Sequence, residues 1–179
     1  VREQVGRLLN DRDGLMLGIC NGFQALVKLG LVPYGEIVDA DADSPTLTFN
    51  TVGYHQSRLV RTRVASNLSP WLMNTAPGEI YTVAISHGEG RFVASEEMMA
   101  DLITRGQVAT QYVDLEGNPT SEVGFNPNNS TYAVEGISSP DGRILGKMGH
   151  TERVGEGLYK NVPGEFDMGL FTSAVQYFS

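Results

Sequence analysis

The chain has 179 residues, 41% hydrophobic and 19% charged, enough to bury one sizeable core. Its 21 Asp and Glu against 13 Lys and Arg leave a formal net charge of −8, which argues against a nucleic-acid binder, a class that presents a basic face. The single cysteine excludes an internal disulfide and a cysteine-based metal site and points to a reducing compartment, the cytoplasm, while no apolar run approaches the roughly 18 residues of a membrane span.

From the start, Val5, Leu8 and Leu9 suit an amphipathic helix that stops near Asp13-Gly14. "LMLGI" (15–19) is a short, fully apolar strand of the kind buried in a parallel sheet. "NGFQALVKLGLV" (21–32) follows at helical period, with Phe23, Leu26, Val27 and Leu29 able to face the sheet, Gly30 as its cap and Pro33 as a stop. After the polar break "DADADSP", residues 46–66 alternate and are β-branched, which predicts two strands. They carry the one basic cluster, Arg58, Arg61 and Arg63, readable as solvated strand positions or as a docking face for an anionic partner. "IYTVAI" (80–85) predicts a buried strand running into "SHGEGRF", and Ser95 to Gly106 a capped helix. A strand at 107–113, a long turn-rich loop, a strand pair around "PDG" and a last helix in "GLFTSAVQYFS" complete the pattern. Strand, tight turn and helix in that order predict an α/β fold, an open and mostly parallel sheet flanked by helices, with added antiparallel strands. Residues 1–179 read as a single domain.

The chemistry gathers at "GICNGFQ" (18–24). A Gly-x-nucleophile-x-Gly turn between strand and helix is a nucleophile elbow, whose strained bend favours glycines such as Gly18 and Gly22. Cys20 then projects at a helix N-terminus, where dipole and amides favour a thiolate, and the N–H of Asn21 is one donor to an oxyanion. A lone cysteine also fits a small buried apolar residue. A thiolate that expels an amine needs an acid/base. His150 lies in "KMGHTER", and in an extended segment Glu152 points the same way and can hold the far ring nitrogen. Cys20, His150 and Glu152 thus form a candidate triad. His87 in "SHGEG" is a competing base without an equally placed carboxylate, in a loop whose amides suit a ligand, and His55 has no expected catalytic role.

"GICNGFQALVKLGLVP" resembles the elbow of the class I (triad) glutamine amidotransferases, a flavodoxin-like family. "SHGEGRF" and "NPNNS…GISSPDGRILGKMGHTER" are similar to one branch, the glutaminase domain of long, multidomain phosphoribosylformylglycinamidine synthases of purine synthesis. The resemblance implies that Cys20 is the nucleophile, His150 the base and Glu152 its orienter. It further implies that Gln24 contacts bound glutamine and that the backbone of Ser86, His87 and Gly88 holds the substrate's amino-acid end. The implied reaction forms a γ-glutamyl thioester and releases ammonia to a synthetase domain of the same polypeptide, where ATP and magnesium act. No cofactor or metal is implied in the glutaminase domain itself.

Two departures stand out. Many relatives read Pro-His-Pro-Glu-Arg where this chain has Gly149-His150-Thr151-Glu152-Arg153, which bears on local rigidity. Only 19 residues precede Cys20, so the chain is expected to lack the domain's first strands and second oxyanion donor, and to be weak or inactive alone. The alternatives are an amidotransferase of another pathway, a cysteine peptidase on a similar scaffold, and a docking module that does not turn over.

Overall fold

A computed structural model describes residues 1–179. The apolar run after Gly14 forms strand β1 (Met16–Ile19), and the chain turns at Cys20 into a helix over Asn21–Lys28. A short helix α1 (Arg2–Gly6), continued by a π turn over Arg7–Asp11, precedes them and makes the helix after the elbow α2. The single turn α3 (Leu31–Tyr34) leads to β2 (Thr46–Phe49) and β3 (Gln56–Val64). Next come β4 (Ile80–His87), β5 (Glu89–Val93), helix α4 (Glu96–Thr104) and β6 (Val108–Tyr112). Strands β7 (Val134–Ser138) and β8 (Ile144–Lys147) and helix α5 (Leu170–Tyr177) finish the chain.

Six strands form one mixed sheet in the order β1-β8-β7-β6-β3-β4, and β2 and β5 pair separately. The α/β layering with added antiparallel strands is as expected, but the balance of pairings differs. Only β1 and β8 run parallel, while the other four contacts of the large sheet, and β2 with β5, are antiparallel. A parallel neighbour requires a crossover, usually helical, whereas β7 turns back directly into β8 around Pro140–Gly142.

Both faces of the sheet are covered, as successive β8 residues show. Ile144 joins a core with Phe23, Leu26, Val27, Val134 and Ile137, and Leu145 joins another with Leu72, Tyr81, Val83 and Leu170. Gly18 and Gly146 are register partners on β1 and β8, and together they let α2 come close. A Cβ at Gly18 would lie 2.5 Å from Leu26 Cδ1 and 2.7 Å from the Gly22 backbone, and one at Gly146 would lie 2.2 Å from Phe23 Cδ2. Gly18 is therefore required by helix–sheet packing, whereas a Cβ at Gly22 meets nothing within 4 Å. Leu29, expected to face the sheet, is 38% exposed, because α2 ends at Lys28 and Gly30 (φ 77°) redirects the chain.

Candidate active site

Cys20 sits at the β1–α2 turn with φ 55° and ψ −109°, a left-handed-side backbone that a side-chain-bearing residue adopts at a cost. The bend is over-determined from both sides. The Cys20 amide donates to the Lys147 carbonyl (2.9 Å) and its carbonyl accepts from the Gln24 amide (3.1 Å). The Sγ is buried and lies 3.9 Å from the Ser86 carbonyl oxygen. Burial pushes the thiol pKa up, against the Asn21 amide and the Arg153 charge, which lower it; Glu152 adds a smaller upward push. The expected preference for thiolate is thus overridden by desolvation, and the thiol needs a base to ionise.

The segment that follows β8 brings His150 to the same cleft. The His150 amide donates to the Ala84 carbonyl (2.8 Å), bridging the segment to β4. His150 Nδ1 lies 2.6 Å from Glu152 Oε1, with side chains 12% and 36% exposed. A carboxylate only accepts, so Nδ1 is the nitrogen that donates, and the neutral form of the ring then has its lone pair on Nε2. Arg153 Nε approaches the same carboxylate oxygen at 3.8 Å. Cys20, Asn21, Gln24, Ser86, His87, Gly88 and His150 all line one cleft of about 930 Å³, a size within the usual range for small-molecule sites. Phe49 and Tyr54 at its rim are 69% and 66% exposed.

The segment 86–88 is less of a loop than the sequence implies. Gly88 is the one residue between β4 and β5, where the chain passes from the large sheet to the small one. Asn50 clasps this crossing: its amide donates to Gly88 O (2.9 Å), its Nδ2 to His87 O (3.0 Å), and its Oδ1 accepts from Gly90 N (3.1 Å). Gln24 is likewise engaged, donating from Nε2 to Glu89 O at 2.6 Å. His55, set aside in the sequence, lines the cleft and lies 3.1 Å from Ser86 Oγ through Nε2. Asn50 was not legible, since nothing in "TFNTVG" marks a buried asparagine. The "NPNNS" loop clamps β5 from behind, Asn128 Nδ2 donating to Gly90 O (2.9 Å) and to Tyr112 Oη (2.8 Å).

The ring of His87 is poorly set for a base, being buried with no carboxylate bonded to it. It is 5% exposed, both its nitrogens lack a partner, and it lies where a Cβ at Gly90 would meet it at 2.5 Å. Burial drives its pKa from 6.5 to about 4, and His55 and His150 push the same way against Glu135. The folded state refuses a proton that the unfolded chain accepts near pH 6.5. Stability is therefore full above pH 6.5 and lost as pH falls from 6.5 towards 4, by up to about 3 kcal/mol. Urea unfolding at pH 7 and 4.5 is expected to show this slope, and His87→Leu to flatten it; an equally steep slope in the variant rejects the assignment.

The basic cluster keeps its charges but is tied to neutral oxygen atoms of the chain itself. Arg58 Nη2 donates to Gly124 O, Arg61 Nη1 to Asp114 O (3.0 Å) and Leu115 O (2.6 Å), and Arg63 to Gln111 Oε1 (3.1 and 3.3 Å). All three are engaged by the chain's own oxygen atoms, Arg58 and Arg61 holding the loop after β6 and Arg63 holding Gln111 of β6 itself.

The sequence matches the model of the CobB/CobQ-like glutamine amidotransferase domain over residues 1–178. The chain belongs to that family. Within it, the chain is 36% identical over 138 residues to the phosphoribosylformylglycinamidine synthase subunit PurQ of Thermomicrobium roseum, covering 77% of this chain and 53% of that protein. It is 33% identical over 163 residues to the same-named subunit of Synechococcus elongatus, covering 91% and 62%. A chain of the solved PurLQS structure from Thermotoga maritima superposes with a TM-score of 0.68 at 26% identity, covering 96% of this chain and 65% of that one. The amidotransferase chain thus spans less than two thirds of these relatives' own length. Both sequence relatives are named as a separate subunit, so the resemblance is to the PurQ subunit of that synthase and not specifically to the long multidomain form.

Proposed function

We propose that this amidotransferase chain hydrolyses glutamine as the glutaminase of a phosphoribosylformylglycinamidine synthase. One observation carries the reading: a cysteine held at φ 55° at a strand–helix turn opens onto the same cleft as a histidine whose Nδ1 is fixed by a carboxylate at 2.6 Å. In the proposed reaction His150 Nε2 takes the Cys20 proton as sulfur attacks the glutamine carboxamide carbon. The Asn21 amide meets the developing oxyanion. His150 passes the proton to the departing nitrogen, ammonia leaves, and a γ-glutamyl thioester remains. Water, deprotonated by His150, attacks that thioester and releases glutamate and the thiol. Overall, glutamine and water give glutamate and ammonia.

Gln24 and the backbone of Ser86, His87 and Gly88 are proposed to hold the substrate's amino-acid end, near the Gln24–Glu89 and Asn50–His87 hydrogen bonds that already order this wall. Ammonia is proposed to pass to a synthetase partner, on the same polypeptide or as a separate subunit, where ATP and magnesium activate formylglycinamide ribonucleotide. The metal is proposed to act in that partner and not in this chain. No helix is long and apolar enough to cross a membrane, and a cytoplasmic location is proposed because the chemistry needs Cys20 reduced.

The test is mass-spectrometric labelling by a glutamine-mimicking diazoketone in the full-length polypeptide. Labelling at Cys20 that free glutamine suppresses is the expected result. Labelling elsewhere, or labelling indifferent to glutamine, rejects the reading.

A further inference from the structure

Behind the catalytic histidine, Glu135 on β7 and Lys147 on β8 form an ion pair at 3.1 Å, with both side chains 0% exposed. An ion pair this deep adds little net stability, because desolvation of two charges offsets their attraction. What it does is fix geometry. Glu135 Oε1 also accepts the Gly149 amide at 2.5 Å, and Lys147 Nζ also reaches the Gly149 carbonyl at 3.3 Å. Oε2 accepts from Thr110 Oγ1 on β6, which locks the carboxylate in turn. Both polar ends of residue 149 are therefore held by buried charges, one residue before His150. Gly149 and Glu135 specify each other as well: a Cβ at 149 would lie 2.8 Å from Glu135 Oε1 and 2.5 Å from Val83 Cγ1. On the other side, the Lys147 carbonyl accepts the Cys20 amide at 2.9 Å.

We infer that Glu135 and Lys147 are positioning residues for the reaction, holding the Gly149 backbone and through it the register of His150 against Cys20. The arm leading to His150 has a flexible glycine at its root, and the ion pair removes that freedom by hydrogen bonds where a stiffer residue would remove it covalently. A displacement of about 1 Å at a catalytic group costs up to about 100-fold in rate, so the pair acts on turnover more than on binding.

This inference rests on the glutaminase reading, and the test reads each separately. In the full-length polypeptide, assembled with its synthetase, Glu135→Gln with Lys147→Met removes both charges but keeps an oxygen to accept the Gly149 amide. Glu135→Leu with Lys147→Met removes that acceptor too. The first double variant loses the Lys147 contact to the Gly149 carbonyl but keeps the acceptor for its amide, and is expected to lose about 3- to 10-fold in kcat for glutamine hydrolysis. The second is expected to lose about 10- to 100-fold in kcat, with KM for glutamine moved less than about 3-fold. Deuterium exchange reads the positioning without activity: the peptide over 148–152 is expected to exchange at least about 10-fold faster in the second variant than in the first, with β6 unchanged. Should the second variant not fold, Glu135→Asp carries the same expectation, since it keeps the charge pair while drawing the carboxylate away from Gly149. Equal kcat and equal exchange across the folded variants overturn the inference. Absence of glutamine turnover in the parent as well would overturn the glutaminase reading, and the exchange comparison would still decide the positioning.

Discussion

Cys20→Ala is expected to lower kcat for glutamine hydrolysis by about 10⁴- to 10⁶-fold, while synthesis from added ammonium continues at the parental rate. The loss is this large because Cys20 is the chain's only thiol, and a neutral hydroxyl such as that of Ser86 is a far weaker nucleophile. The Ser86 hydroxyl lies 3.1 Å from His55, and the group facing the sulfur is the Ser86 carbonyl, which is no nucleophile. Water would have to reach an unactivated carboxamide with no thioester to divide the barrier. The backbone supplies a second arm. At φ 55° an alanine keeps the strain and a glycine relieves it, so Cys20→Gly is expected to be equally inactive yet about 1 kcal/mol more stable than Cys20→Ala. The checks are glutamate release, amidine formation with glutamine against ammonium, and urea unfolding. Glutamine-dependent turnover in the alanine variant at more than a thousandth of the parental rate, or loss of ammonium-dependent synthesis with it, would refute the nucleophile assignment.

What the sequence disclosed of this site is what short-range geometry controls. A short, fully apolar run gives way to a helical period at Cys20, and that change marks the turn without any knowledge of the sheet. His150 and Glu152 are two residues apart, so an extended backbone alone puts them side by side. The features the sequence withheld depend on partners far along the chain. Glu135 in "YAVEGISS" reads as one charge in an apolar strand, and only the pairing of Gly136 with Lys147 across β7 and β8 brings its counter-ion near. Asn50 is unremarkable until β2 meets β5 and puts it over Gly88. The three arginines of β3 announce charge but not the carbonyls of a loop, 66 and 53 residues later, that engage two of them. The thiol follows the same rule, since its helix-end dipole is local and the burial that outweighs it is tertiary.

The second large effect is expected at a residue that never touches substrate. Glu152→Gln keeps the length and shape of the side chain but presents an amide to His150 Nδ1. The amide can turn its NH₂ to that nitrogen, which favours the tautomer with the proton on Nε2 and leaves no base towards Cys20. The charge that supports the imidazolium, once it holds the thiol proton, is lost as well. In a serine triad with a buried carboxylate the same exchange costs about 10⁴-fold. Glu152 is 36% exposed, so solvent screens part of its field, and the loss expected here is about 10²- to 10³-fold in kcat with little change in KM. The pH dependence separates this from a folding defect. Burial holds the Cys20 thiol above its ordinary value of 9.0, so its thiolate fraction grows about tenfold per pH unit through the range 7 to 9. Residual turnover no longer carried by His150 must follow that ionisation and climb with the same slope, whereas the parent, with its base in place, rises far less. A variant within about 3-fold of the parent and parallel to it across this range would show that Glu152 does not orient the histidine.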